Sequence, residues 1–196
     1  MGKIAPKLPQ LIFGVLIIAL TGCPFLNSTE KPAKLRKRAM AITELPRETT
    51  YENAELGFSL RYPNGWQPID AGRVDASFAV ATSSLAGDTV FFAVSVVDAP
   101  TDMTLQGAGD ALYAYANRSF QNVTPISSGQ TSLSGQPALT WTYSGTAEQT
   151  EIRCIQVFAI IGRRIYTVTY IAEPDSFDAH TPEYDRMLSS VQVVAQ

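Results

Sequence analysis

The chain has 196 residues, 45% hydrophobic and 17% charged, with two cysteines and a formal net charge of −3. That is one domain of ordinary size, able to bury a full core without disulfides, and no segment has the composition of a long disordered tail. Charge is uneven: from Thr49 onward seven arginines and no lysine stand against fifteen Asp and Glu, a net of −8, which sets aside a nucleic-acid partner because that demands a basic footprint.

The first ten residues carry Lys3 and Lys7, and Leu11 to Leu20 are then uncharged and nearly all apolar. As a helix those ten cover roughly 15 Å, about half a bilayer core. A charged start, a short apolar run and small residues after it predict a secretory signal over residues 1–22. Its end, Leu20-Thr21-Gly22-Cys23, resembles the bacterial lipobox. That resemblance implies a diacylglyceryl group on Cys23, palmitate-type acylation, and Cys23 as the mature N-terminus. Two or more acyl chains hold a protein stably on a membrane.

Residues 23–49 hold three prolines and little periodic apolar pattern, and read as a flexible tether. At about 26 residues its root-mean-square span is about 28 Å. The cluster Lys31, Lys34, Arg36, Lys37 and Arg38 is a candidate membrane-surface contact, worth about 1 kcal/mol per charge on anionic headgroups. The alternatives are a solvated linker or a short helix from Lys34 to Leu45. The cluster also admits the reverse orientation, an uncleaved N-terminal anchor with the domain inside the cell.

Residues 50–196 form the globular part. Phe58, Leu60 and Tyr62 alternate ahead of the turn residues Pro63-Asn64-Gly65. Strands follow over Ser77–Thr82 and Thr89–Val97. Leu105, Ala108, Leu112, Tyr115, Ala116 and Phe120 share a helical face despite Gly107 and Gly109. Leu139, Trp141 and Tyr143 mark a half-buried strand, and Ile152–Ile161 and Ile165–Ile171 a hairpin closed by Gly162-Arg163, which suits a type II′ turn. A last helix starts with Thr181 as cap and Pro182 in the first position, and Val191–Val194 makes a short terminal strand. This order predicts an α+β domain, an antiparallel sheet with helices packed on its faces.

The stretch Gly57-Phe58-Ser59-Leu60-Arg61-Tyr62-Pro63-Asn64-Gly65-Trp66 resembles the G-[FY]-x-[FL]-x-[YI]-P-x-x-W opening of PsbP-like domains, a fold shared with DcrB-like envelope proteins. Gly162-Arg163-Arg164-Ile165-Tyr166-Thr167-Val168-Thr169 is similar to their G-[RK]-x-[LI]-Y-T-x-T segment. The resemblance covers about Tyr51 to Val194 and implies an α/β/α sandwich, usually without enzyme activity. Cyanobacterial members are lipoproteins linked to photosystem II assembly, and plant relatives are extrinsic subunits of it. No docking residue is carried over, because the domain has no lysine.

Candidate chemistry is sparse. His180, the one histidine, has Asp175, Asp178 and Glu183 near it, an acidic run that suits a helix N-terminus as well as it suits a base or a metal ligand. No G-x-S-x-G, metal-type spacing or phosphate loop occurs, so no cofactor is expected. Cys154, among Ile152, Ile155 and Val157, reads as a buried thiol. Most aromatics fall on core faces; Tyr113 lies off the apolar face of its helix and is the expected exposed one.

Three functions fit. The leading one is a non-catalytic, lipid-anchored envelope protein, on the periplasmic or lumenal face of a membrane or on an outer membrane, that binds a protein or supports assembly. The others are a photosystem II assembly factor, if the host is photosynthetic, and a small-ligand binder or hydrolase with a site joining His180 to a serine or to carboxylates.

Overall fold

A computed structural model of the chain describes residues 47–83 and 89–194. The signal segment, Cys23 and the basic cluster at Lys31–Arg38 lie outside these residues. The described part opens with a hairpin, β1 (Glu48–Asn53) against β2 (Phe58–Pro63), antiparallel with Tyr51 opposite Leu60. Phe58, Leu60 and Tyr62 are all buried, as their alternation predicts, and each such side chain contributes about 1.5–3 kcal/mol. After Pro63 the chain reverses, the Trp66 N–H donating to the Pro63 carbonyl at 2.9 Å. Trp66 is thereby delivered into the core.

The remaining strands are β3 (Gln67–Pro68), β4 (Phe78–Ser83), β5 (Thr89–Asp98), β6 (Gln121–Leu133), β7 (Gln136–Ala147), β8 (Thr150–Ile161), β9 (Arg164–Ala172) and β10 (Gln192–Val193). Strands β3 to β9 build an antiparallel seven-stranded sheet in the order β3-β4-β5-β9-β8-β7-β6, while β10 joins β1 and β2 in a small three-stranded sheet. The β8–β9 loop is Gly162-Arg163, with Gly162 at φ 62° and Ile161 paired with Arg164, the type II′ geometry expected. A 3₁₀ turn over Ala71–Val74 lies before β4.

Helix α1 (Leu105–Ser119) and helix α2 (Pro174–Ser190) take opposite faces of the large sheet. Along β8, Val157, Ala159 and Ile161 share a cluster with Phe177, Tyr184 and Met187 of α2. Cys154 and Phe158 share another with Ala108 and Ala116 of α1. The split follows the two-residue period of a strand. Phe58, Leu60 and Tyr62 belong to the α2-side cluster, so the small sheet packs on that face too. The result is the α/β/α sandwich expected of the sequence. Tyr170 ties α2 down, its hydroxyl donating to the Phe177 carbonyl at 2.8 Å while its ring stacks on Tyr184 with centroids 4.9 Å apart.

Two local readings are corrected. Helix α2 begins at Pro174, with Glu173 as its cap residue, so Pro182 is interior and Thr181 is not a cap. Pro174 supplies the fixed φ that suits a first turn. The Thr181 hydroxyl bonds back to the Phe177 carbonyl at 2.9 Å, and burial of Phe177, Tyr184 and Met187 carries the helix through a residue that costs about 3 kcal/mol in an interior. The second correction is β6, a thirteen-residue strand where no strand was expected. Its side chains are mostly exposed and polar, so it carries no hydrophobic period for a sequence reading to find.

Candidate functional site

Among the described residues the α1 face has an open strip. Between α1 and the β6–β7 hairpin runs a groove of about 300 Å³. Thr104 caps the helix there, its hydroxyl accepting from the Gly107 N–H at 3.0 Å. Gly109 sets the depth. A Cβ on it would stand 3.1 Å from Cζ of the buried Phe158 ring, so glycine lets the helix settle close to the sheet.

Aromatic rings form the floor and one wall. Tyr113 is 42% exposed and meets Trp141 edge-on, with centroids 5.4 Å apart and planes at 61°. Trp141 in turn stacks on Tyr143 at 4.3 Å. The indole is locked from below: Nε1–H donates to Gln156 Oε1 at 2.8 Å, and Gln156 Nε2 donates to Thr169 Oγ1 at 3.4 Å. Ser128 and Gln130 of β6 and Leu139 of β7 complete the far side. Of the lining residues Asp110 alone carries a full charge, and it accepts from Gln106 Nε2 at 3.1 Å. Such a groove offers shape, stacking and one negative rim.

No protein-family model matches the sequence, and no curated protein matches it. Solved structures do. Cyanobacterial PsbP (CyanoP) from Synechocystis sp. PCC 6803 superposes with a TM-score of 0.57 at 18% identity, over 80% of this chain and 98% of that one. LpqN of Mycobacterium tuberculosis, a protein involved in cell envelope biogenesis, gives 0.56 at 12% identity over 76% and 91%. PA94 of Pseudomonas aeruginosa, of unknown function and a putative regulator, gives 0.51 at 17% identity over 70% and 91%. The fold is PsbP-like.

Within the PsbP-like domain His180 contributes nothing to the groove. It sits on α2, Nδ1 at 3.1 Å from the Ser176 carbonyl, which requires the proton on Nδ1, and its ring meets Trp66 edge-on at 6.3 Å. Trp66 Nε1 donates to Glu183 Oε2 at 3.0 Å. The acidic residues near His180 in sequence are accounted for locally: Asp175 lies in the first turn of α2, and Asp178 pairs with Arg153 at 3.3 Å. The hydrolase reading needs His180 in a hollow with a serine or carboxylates, and His180 does not line the groove.

Cys154 lies fully buried under Tyr143, and burial pushes its thiol up to about 12. Burial also raises the Tyr143 hydroxyl. A thiol that stays protonated is a poor nucleophile.

A second hollow of about 360 Å³ lies at the β8–β9 turn, beside Asp98, Arg163 and Arg164. Its polar groups serve the fold: Arg164 donates to the Glu55 carbonyl at 3.0 Å, and Tyr166 to the Leu56 carbonyl at 2.8 Å. They clamp the β1–β2 turn onto the large sheet. Among the described residues no group of three or more His, Cys, Asp or Glu could hold a metal ion, and no helix is long and apolar enough to cross a membrane.

Tyr113 was legible in the sequence as the aromatic off the helix's apolar face, and it is exposed as expected. Gln156, which fixes the floor, was not. A lone Gln in an apolar strand was the available signal, since a buried amide requires a hydrogen-bonding partner.

Proposed function

We propose that this chain is a non-catalytic module of a bacterial envelope, held to its membrane by lipid on Cys23, that binds a protein partner through the groove beside α1. The observation that carries the reading is Tyr113, an aromatic ring left 42% exposed and set against a locked Trp141 in a groove with a single charge. Rigid aromatic anchors with little competing charge are what protein-binding surfaces concentrate. The lipobox-like Leu20-Thr21-Gly22-Cys23 supports the anchor, and the likeness in fold to a protein of cell envelope biogenesis supports the compartment. In this reading residues 23–49 let the domain stand clear of the bilayer, with Lys31, Lys34, Arg36, Lys37 and Arg38 against anionic headgroups.

Two measurements test the halves separately. A photo-crosslinking residue replacing Tyr113 in the full chain, in its native envelope, gives a discrete adduct that the same probe at the exposed Glu52 does not; equal labelling at both positions refutes the binding groove. Cys23→Ala loses palmitate labelling and releases the protein from membranes. Label retained by that variant removes the lipid anchor from the reading.

A further inference from the structure

The two edges of the large sheet are built differently. At one end stands β3, two residues long and ending in Pro68, a blunted edge of the kind that resists pairing. At the other stands β6, thirteen residues long, with every side chain from Thr124 to Ser132 exposed. Irregular register at Gln121/Thr124 and Pro125/Ser127 ends the regular ladder there, leaving Ser127–Leu133 as a straight run against β7.

The direction of the free backbone groups follows from the turn. Ser134-Gly135 is a two-residue loop with φ 50° and 75°, and it pairs Leu133 with Gln136. The residues flanking such a loop bond to each other. By the antiparallel alternation Leu133, Thr131, Gly129 and Ser127 turn their N–H and C=O groups to β7, and Ser132, Gln130 and Ser128 turn theirs to the open edge.

Charge identifies the occupant. Between Arg118 and Glu148 no Asp, Glu, Lys or Arg occurs, in a chain that carries −8 from Thr49 onward. Two copies of so acidic a domain repel over most of their surface, and this uncharged hairpin is where they can approach. The edge also matches itself: with Gln130 facing Gln130, Ser128 faces Ser132, and no like charges oppose each other. A basic segment of another protein would gain nothing from an uncharged edge.

We propose that β6 pairs antiparallel with β6 of a second copy of this chain, about a two-fold axis at Gln130, joining two seven-stranded sheets into one. The axis is normal to the sheet, so both small sheets, and with them both chain entries at Glu48, stay on the same side. Gln130 also lines the groove beside α1, so each groove, with its Tyr113 and the Asp110 on its rim, opens towards the axis. The pairing does not depend on what the groove binds.

Sedimentation of the full chain in detergent or nanodiscs tests it, with Gln130→Lys and Gln130→Glu made separately. Gln130 is exposed, and circular dichroism checks that both variants fold. The wild type dimerises reversibly within roughly 1–300 μM, the range open to a small, mostly backbone interface. Each variant places like charges face to face and dimerises about two- to fivefold more weakly. An equal mixture of the two regains the dimer, because Lys then faces Glu. A wild type that stays monomeric throughout, or variants that dimerise as it does, overturn the proposal. So does a mixture no better than its components.

Discussion

Trp141 and Gln156 face each other across the β7–β8 ladder, and the indole N–H donates to the Gln156 amide oxygen at 2.8 Å beneath the floor of the groove. Removing the acceptor leaves a buried donor unpaired, which costs about 1–3 kcal/mol. Gln156→Leu is therefore expected to lower the urea midpoint with an unchanged m-value. Trp141→Phe added to it recovers part of the loss, since both partners are then apolar. Equal stability of Gln156→Leu and wild type would show that the bond does not hold the floor.

Gly109 and Gly107 lie on the same helix and respond differently to a methyl group. At Gly109 the added Cβ meets the buried Phe158 ring at 3.1 Å. Overpacking of this kind costs about 1–3 kcal/mol and outweighs the helix gain of up to about 1 kcal/mol. At Gly107 the nearest atoms, at 3.2 Å, are Met103 Sδ and Thr104 Oγ1; neither side chain is fully buried, and a shift of a few tenths of an ångström lets Thr104 keep its cap bond to the residue 107 N–H. Gly109→Ala is expected to destabilise and Gly107→Ala to be neutral or mildly stabilising. Thermal melts of the pair decide it, and the reverse order contradicts the close approach.

The buried acids make the fold sensitive to base. Burial is the first cause of raised values for the Cys154 thiol, from an ordinary 9.0 to about 12, and for the Tyr115 hydroxyl, from 10.0 to about 12. It raises Tyr143, Tyr170 and Tyr184 as well. Each of these groups holds its proton more tightly folded than unfolded. Their contribution is complete below the unfolded value and is lost as pH rises from about 9 towards 12. The urea midpoint should thus fall above pH 9, first through Cys154. Cys154→Ala should flatten the onset of that fall, and an unaltered onset would assign it elsewhere.

Tyr113→Ala is expected to leave the fold nearly intact, losing only the edge contact with Trp141, worth about 0.5–1.5 kcal/mol. Trp141→Ala removes a buried ring that also stacks on Tyr143, and should cost about 3–5 kcal/mol. A Tyr113→Ala variant with nearly full stability and reduced capture of the partner by a crosslinking residue at Gln106, exposed on the same groove, separates binding from folding. If its destabilisation matches that of Trp141→Ala, Tyr113 is a core residue.

Much of the fold was legible where period and burial coincide. Phe58, Leu60 and Tyr62, the Trp141–Tyr143 alternation and the Gly162-Arg163 hairpin all stand as read. The misreadings have definite causes. A proline is a strong local sign of a helix start, but α2 takes Pro174 in that place and runs on through Pro182, because burial of Phe177, Tyr184 and Met187 extends it. Strand β6 is held by its ladder to β7 and not by an apolar face, so its Ser, Thr, Gln and Gly resembled a loop.

By itself the sequence determined the α+β class, the alternating core strands, the acidic domain with its basic approach at Lys31–Arg38, and the exposure of Tyr113. These depend on local period, composition and charge, which a chain carries before it folds. The groove, the bond from Trp141 to Gln156 and the place of β6 at the end of the sheet were decided only in three dimensions. Each depends on which strands become neighbours and how closely α1 can approach them, and that is settled when the two helices take opposite faces of the sheet.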